Sequence, residues 1–491
     1  MLDVTMDGSE KRKIVVNELP FLLFLLLAGF YFLILCIGIS EKTGAFLGDP
    51  DVYWHVAVGR NIWRTGALPS LDEFSHTFHG HPWIAKEWLS QLLLFGAYSL
   101  AGWRGVATLA AAVTALSYGL LFLALSRSLR IGVALGVATL AWAFSLGHFI
   151  ARPQIFADPL IVVWVAGLVG AVDRRSAPNF WLLPVMAVWA NLHGSFTIGL
   201  ALAAALAAEA VFSAPAGARR GAAGRWSIFL LAALACACLT PYGYQPLLMT
   251  SHVFVGNEAL QYVREWRPRT LEGLGVIEVT LFGLLILALL NGVKLSLLRL
   301  APVIALLYLM LAHLRFAALF ATGAPLLLAG PLADQFPFLR PQALAGARRR
   351  FRLLLSSVAG LLFLGVAAFA AYGPDVAPKA GITPEGAVDF LVRERLTGKI
   401  YNDYNFGGYL IFRGIPTFVD GRSDQLFVGG FLSDLQEILD RHPAEFPNYL
   451  RARNVSVALV SPNSREAEEL TRSPDWEKVY SDAIGEVFET K

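Results

Sequence analysis

Between residues 19 and 371 the chain is a succession of apolar runs joined by short polar connections. The runs fall at 19–39, 105–125, 133–150, 155–172, 180–192, 196–212, 226–239, 274–290, 295–312, 316–332 and 353–371, about eleven spans by a hydropathy window. Most are long enough to cross ~30 Å of hydrocarbon. Only 16% of the 491 residues are charged and 56% are hydrophobic, whereas a soluble domain carries about a quarter charged residues. An ordinary soluble enzyme, a disordered chain and a nucleic-acid-binding protein are therefore excluded, and the expected class is an α-helical polytopic membrane protein. The net charge of +3 is too small to call for an anionic partner. Cys36, Cys236 and Cys238 all lie in apolar runs, so no disulfide framework is available.

Orientation follows from the basic residues. Lys11, Arg12 and Lys13 precede the first run, which has no small-residue cleavage site and reads as an uncleaved span behind a cytoplasmic tail at 1–18. With 105–125 as the second span, Arg127 and Arg130, Arg174 and Arg175, Arg219, Arg220 and Arg225, Lys294 and the cluster from Arg348 to Arg352 all fall on the cytoplasmic side. Counting 84–102 as a span would put Arg127 and Arg130 outside, so this stretch is expected to be a surface helix. The result is a membrane domain at 19–372 of a multi-pass protein of the cell (inner) membrane. Its first outer loop, 40–104, carries two surface helices. After residue 371 the composition changes, and 373–491 reads as a small α/β domain on the periplasmic or extracellular side. Strands are expected at 399–401, 417–419 and 455–460, and helices at 431–441, at 464–471 and from Thr383-Pro384-Glu385 onward. Gly407-Gly408 and Asp420-Gly421-Arg422 read as turns, with Asp420 and Arg422 also candidates to touch a substrate.

This topology gathers the polar motifs on the outer face: Ala151-Arg152-Pro153-Gln154, Asn191-Leu192-His193-Gly194, Thr240-Pro241-Tyr242-Gly243, His313-Leu314-Arg315 and the first loop. Charged and imidazole groups at span ends are costly unless they face a cavity, so their convergence points to a polar site. Asp158 lies near the outer end of its span and joins that site, whereas Glu209, near the cytoplasmic end, is expected to snorkel. The first loop is the richest segment, with Asp49, Asp51, His55 and Arg60 followed by Pro82-Trp83-Ile84-Ala85-Lys86-Glu87-Trp88. A carboxylate here can take the proton of an acceptor hydroxyl or amine. Arg152, Lys86 and Arg315 can offset the charge on a departing phosphate.

The first-loop pattern resembles the GT-C superfamily of polytopic glycosyltransferases, which includes protein O-mannosyltransferases, the aminoarabinose transferases of lipid A and oligosaccharyltransferase catalytic subunits. The resemblance implies a catalytic carboxylate early in the first outer loop and a polyprenyl-phosphate-linked sugar donor. By position Asp51 matches that carboxylate, with Asp49 the near alternative, and Lys86 matches a residue contacting the donor phosphate. The mannosyl- and aminoarabinose-transferase branches place Glu after the aspartate and Pro-Pro-Leu at the second helix, where this chain has Val52 and Lys-Glu-Trp-Leu. The expected activity is sugar transfer to a glycan, lipid or protein acceptor, with membrane lipids and no nucleic acid as partners. Donor phosphate binding falls to Arg152, Lys86 and Arg315, and the cavity also takes His55, Arg60, Glu87, Asp158, Asn191, His193 and His313. No cofactor is required by this reading; a divalent cation, Mg or Mn, would draw on Asp49, Asp51, His55 and His193. The alternatives are a non-catalytic membrane assembly protein and a transporter of a lipid-linked glycan, although no repeated halves are visible.

Overall fold

Apolar helices account for most of the computed structural model, which describes residues 8–40, 46–254, 266, 268, 273, 275–342, 349–396 and 398–491. Residues 1–7 of the N-terminal tail, residues 41–45 of the first loop, Leu274 at the start of one apolar run and Arg348 of the last basic cluster lie outside the described residues. The helices are α1 (Gly8–Ser40), α2 (Asp51–Thr65), α3 (Trp88–Leu125), α4 (Ile131–Ser145), α5 (Gln154–Asp173), α6 (Leu183–Leu192), α7 (Phe196–Phe212), α8 (Arg219–Ala237), α9 (Gln245–Phe254), α10 (Val276–Leu290), α11 (Leu297–Ala312), α12 (Ala317–Gln335) and α13 (Arg349–Tyr372). Five shorter helices follow: α14 (Glu385–Arg393), α15 (Gly407–Phe412), α16 (Phe431–Arg441), α17 (Phe446–Ala452) and α18 (Arg465–Arg472).

Four of the described helical segments, Trp88–Leu125, Ile131–His148, Gln154–Asp173 and Ala317–Gln335, are long and apolar enough to cross a membrane. The apolar stretches at Phe180–Leu192, Phe196–Phe212, Val276–Leu290 and Leu297–Ala312 are shorter, so the count of about eleven spans is not confirmed. A hydropathy window counts apolar residues whether or not they continue one helix. It therefore joins the 3-10 turns Phe180–Leu182 and Leu314–Phe316 to the helices beyond them. In α3 the helical backbone is interrupted at Ala101 and Gly102, the latter at φ 57°. This is where the sequence divides a surface helix from the second span, and the left-handed conformation there suits glycine.

Glu209 does not snorkel. Arg299 on α11, 3% exposed, donates through Nε to both Glu209 oxygens at 2.9 and 2.7 Å, and through Nη2 to Asp173 at 3.0 Å. Its Nη1 donates to the Leu327 carbonyl at 3.0 Å. A charge this deep is tolerated because it is paired and hydrogen-bonded, and the cluster ties α5, α7, α11 and α12 together.

The C-terminal sheet has the order β1 (Lys399–Asn402), β2 (Val455–Val460), β4 (Glu486–Thr490), β3 (Trp476–Ser481). β1 runs parallel to β2, and the other pairs are antiparallel. Residues 417–419 are not one of its strands. Thr417 instead pairs with the first loop, its N–H donating to the Phe74 carbonyl at 3.0 Å and its own carbonyl accepting from the His76 N–H at 2.9 Å. Thr383 accordingly serves another element than α14, with its hydroxyl 2.7 Å from that of Tyr53. One hydrophobic cluster runs from Trp54, Val58 and Trp83 of the first loop into Phe418, Phe427 and Leu435. Gly407 and Gly408 open α15 instead of making a turn, and a Cβ on Gly408 would lie 2.3 Å from the Pro50 carbonyl oxygen. The C-terminal segment is therefore seated directly on the first loop.

Candidate active site

α2 begins in an Asx turn, in which the Asp51 N–H donates to Asp49 Oδ1 at 2.9 Å. Asp51, Trp54 and His55, spaced i, i+3 and i+4, share one face of α2 and line a cavity. Arg152, in the loop before α5, reaches both first-loop carboxylates. Its Nε donates to Asp49 at 2.7 Å and its Nη2 lies 2.6 Å from Asp51 Oδ2. Asp49 stands behind Arg152 and outside the cavity lining, and Asp51 faces it.

The C-terminal segment supplies the opposite wall through Tyr404, Gly421, Ser423, Asp424 and Gln425, none of which the sequence marked as part of this site. Lys86 forms an ion pair with Asp424. Gln425 accepts from the Ile84 N–H and donates to the Ile84 carbonyl, both at 3.1 Å. The anchor of this wall is Arg422, fully buried with Asp72 and Asp420. It donates through Nε and Nη2 to Asp420 at 2.8 and 2.7 Å, pairs with Asp72, and lies 5.0–5.2 Å from the ring centroids of Trp83 and Phe74. Arg422 and Asp420 therefore hold the loop and do not reach a substrate, because every charged atom of the pair is consumed inside the knot.

Glu87 and His193 complete the inner wall, with Glu87 Oε1 3.6 Å from His193 Nε2. The Ser195 N–H donates to His193 Nδ1 at 3.2 Å, and the Ser195 hydroxyl lies 2.8 Å from the same nitrogen. Burial, then Arg315 and Lys86, push the His193 imidazole well below its usual range. A neutral ring whose Nδ1 accepts carries its proton on Nε2, facing Glu87. Burial raises the Glu87 carboxyl, and Lys86 reverses only part of that. Burial also lowers His55, helped by Arg152 and His193. Lys86 is pulled down by burial but raised more by Asp424 and Glu87, ending above its ordinary value.

Arg315 differs from the other two cavity cations. Its guanidinium stacks 4.5 Å from the Trp266 ring centroid, and among the described residues no carboxylate lies within ion-pair distance of it. Asp158 lines an adjoining cavity with His148, and His193, Ser195 and Arg315 form the boundary between the two. Three sequence candidates sit elsewhere. Asn191 accepts from Trp88 Nε1 at 2.8 Å and donates to the Ala187 and Leu239 carbonyls. His313 Nδ1 lies 2.8 Å from the Trp266 carbonyl oxygen. Arg60 turns away to the Phe412 carbonyl at 2.6 Å, over the Phe412 ring. Among the described residues no three His, Cys, Asp or Glu side chains are gathered as a metal requires. Asp49 and Asp51 are both engaged by Arg152, so Asp49, Asp51, His55 and His193 do not fit a divalent cation.

No family model matches the chain, and no curated protein matches it in sequence. Solved structures do share its fold. The oligosaccharyltransferase of Archaeoglobus fulgidus in the apo form overlays with a TM-score of 0.51 at 13% identity, covering 89% of this chain and 69% of that one. ArnT from Cupriavidus metallidurans bound to undecaprenyl phosphate gives a TM-score of 0.49 at 14% identity, covering 95% and 97%. The fold is thus shared with the archaeal oligosaccharyltransferase.

Proposed function

We propose that the protein is a glycosyltransferase that moves a sugar from a polyprenyl-phosphate donor to an acceptor at the outer face of the membrane. The observation carrying this reading is the distribution of charge around the cavity. Arg152 and Lys86 each hold a carboxylate, whereas Arg315 presents a guanidinium to the cavity with a ring on one side and no carboxylate partner among the described residues. Arg315 therefore becomes the leading donor-phosphate ligand, ahead of Arg152 and Lys86, because a guanidinium grips two phosphate oxygens without first giving up an ion pair. The acceptor O–H or N–H gives its proton to Asp51 while its lone pair attacks the anomeric carbon. The anomeric C–O bond breaks, and its electron pair leaves on the phosphate, where Arg315 offsets the charge. Arg152 orients Asp51 from behind. No metal step is assigned.

In this reading residues 1–18 are cytoplasmic, 19–372 form the membrane domain, and 373–491 lie outside the inner membrane and close the site from the aqueous side. The test incubates purified protein with a panel of labelled polyprenyl-phosphate sugars and a lipid and glycan extract. Transfer of label from one donor into an acceptor supports the reading, and release or transfer from none of them refutes it.

A further inference from the structure

The cavity wall built by α2 and α3 contains two polar atoms that the protein leaves unsatisfied. Trp54 Nε1 and Gln91 Oε1 are buried without a hydrogen-bond partner, and both residues line the cavity. Trp54 is 7% exposed and Gln91 1%. They flank His55: the Trp54 and His55 ring centroids are 3.6 Å apart, and Gln91 Nε2 lies 3.4 Å from His55 Nδ1. In this orientation Nε2 meets His55 Nδ1, and the acceptor Oε1 is the end left open.

Neither side chain is free to find a partner by shifting its backbone. A Cβ on Gly59 would stand 2.1 Å from the Gln91 carbonyl oxygen, so α2 and α3 are in backbone contact there. A Cβ on Gly421 would stand 2.9 Å from Trp54 Nε1, so the C-terminal wall presses on the indole. Leaving a buried donor or acceptor unmade costs about 1–3 kcal/mol, and folded proteins keep few such groups. The other described side chains in this condition, Arg104, Thr114, Tyr118, Trp142, Tyr449 and Trp476, do not line this cavity.

A donor and an acceptor left open on the same wall are the complement of a group that both accepts and donates, which is the property of a hydroxyl. We infer that Trp54 Nε1 and Gln91 Oε1 form a specificity subsite that reads a sugar hydroxyl, carried either by the donor's sugar or by a sugar acceptor. The inference rests on the glycosyltransferase reading and deepens it. The aromatic donor and the amide hold one hydroxyl between them, and a sugar lacking that hydroxyl leaves both unpaired inside the wall.

The test uses the full chain in lipid nanodiscs and four probes: a polyprenyl phosphate, a polyprenyl-phosphate hexose, its monodeoxy analogues, and a methyl hexoside with its own deoxy forms. Wild type is expected to bind the hexosyl lipid or the methyl hexoside about tenfold tighter than one deoxy form, the worth of a neutral hydrogen bond. Trp54→Phe and Gln91→Met should erase that difference and leave binding of the bare polyprenyl phosphate unchanged. Both variants should stay folded: Trp54→Phe gives up buried ring volume and Gln91→Met the Nε2 contact with His55, but neither indole Nε1 nor amide Oε1 takes a protein partner with it. An effect on the lipid assigns the subsite to the donor's sugar, and an effect on the methyl hexoside assigns it to the acceptor. Equal binding of parent and deoxy forms by wild type overturns the subsite, as does undiminished discrimination by the two variants. Bare polyprenyl phosphate separates the two readings: if wild type binds it while sugars make no difference, the donor reading stands and the subsite falls. If wild type fails to bind it, the donor reading falls, and the methyl hexoside arm still decides the subsite.

Discussion

The Cβ that Gly421 lacks would fall 2.0 Å from Oδ1 of Asp51. A residue near the C-terminus thus touches the carboxylate proposed to accept the proton, and only glycine leaves room for it. Asp51 cannot swing aside, because Arg152 holds its other oxygen at 2.6 Å. Gly421→Ala should therefore lower turnover at least about tenfold and destabilise by about 1–3 kcal/mol, as overpacking does. Unchanged turnover and unfolding temperature would show that this contact is dispensable.

Asp51→Asn should reduce the single-turnover rate by about 10²- to 10⁴-fold with donor affinity retained, since the amide keeps the shape and loses the basicity. Asp49→Asn should cost less, because Asp49 serves the turn and Arg152 from outside the cavity lining. Rates measured at saturating donor for both variants check the assignment, and the reverse order would exchange the two roles.

Arg315 and Arg152 should separate cleanly. Arg315→Ala removes a cavity cation that holds no carboxylate among the described residues and should weaken donor binding with little change in stability. Arg152→Ala leaves Asp49 and Asp51 facing each other without their shared counter-ion and should destabilise by about 3–5 kcal/mol. Donor titration and denaturant unfolding on the same two preparations distinguish them. Equal loss of stability in both would remove the distinction.

Arg422→Lys should behave as a severe change. Lysine cannot span Asp72 and Asp420 with a planar fork, and the two buried carboxylates would be left underpaired. Limited proteolysis should then find the 420–427 segment opened, and the Lys86 to Asp424 pair lost with it. A proteolysis pattern like that of wild type would mean that the knot does not hold the wall.

Acid should destabilise the protein from about pH 6.5 downward. His55, His76 and His193 are all held below the usual imidazole value, chiefly by burial. Below 6.5 the unfolded chain takes up protons that the folded chain refuses. Each such histidine then removes stability as the pH falls, at a slope of at most about 1.4 kcal/mol per pH unit that ends where its folded ring takes up the proton. Glu87, whose folded carboxyl is raised, works in the opposite sense above its ordinary value and lessens the net slope. Unfolding midpoints between pH 7.5 and 5.5 should fall for wild type and fall less for His76→Asn.

The charged half of the site was legible because an ionisable residue beside an apolar run is conspicuous. Asp51, Lys86, Glu87, Arg152, His193 and Arg315 line one cavity. The pairing state of those charges was not legible, and it reverses the order of Arg152 and Arg315. The outer wall left no local signal: Lys86 and Asp424 are separated by 338 positions, and Gly421 reads as an ordinary turn residue. Arg60 was misplaced because it was grouped with its loop and not by helix phase: nine residues beyond Asp51, it lies on the opposite side of α2. β3 and β4 escaped notice because neither Trp476–Ser481 (WEKVYS) nor Glu486–Thr490 (EVFET) alternates apolar and polar residues regularly.

The Arg299 cluster has a consequence for how the chain is made. Glu209 precedes its guanidinium partner by 90 positions and Asp173 by 126. At about 5–20 residues per second, both acids wait roughly 5–25 s in nascent α5 and α7 before the counter-charge is synthesised. Those two helices cannot reach their final packing until α11 arrives, so biogenesis of the bundle is gated by residue 299, and truncation before it should leave a product that membrane quality control removes.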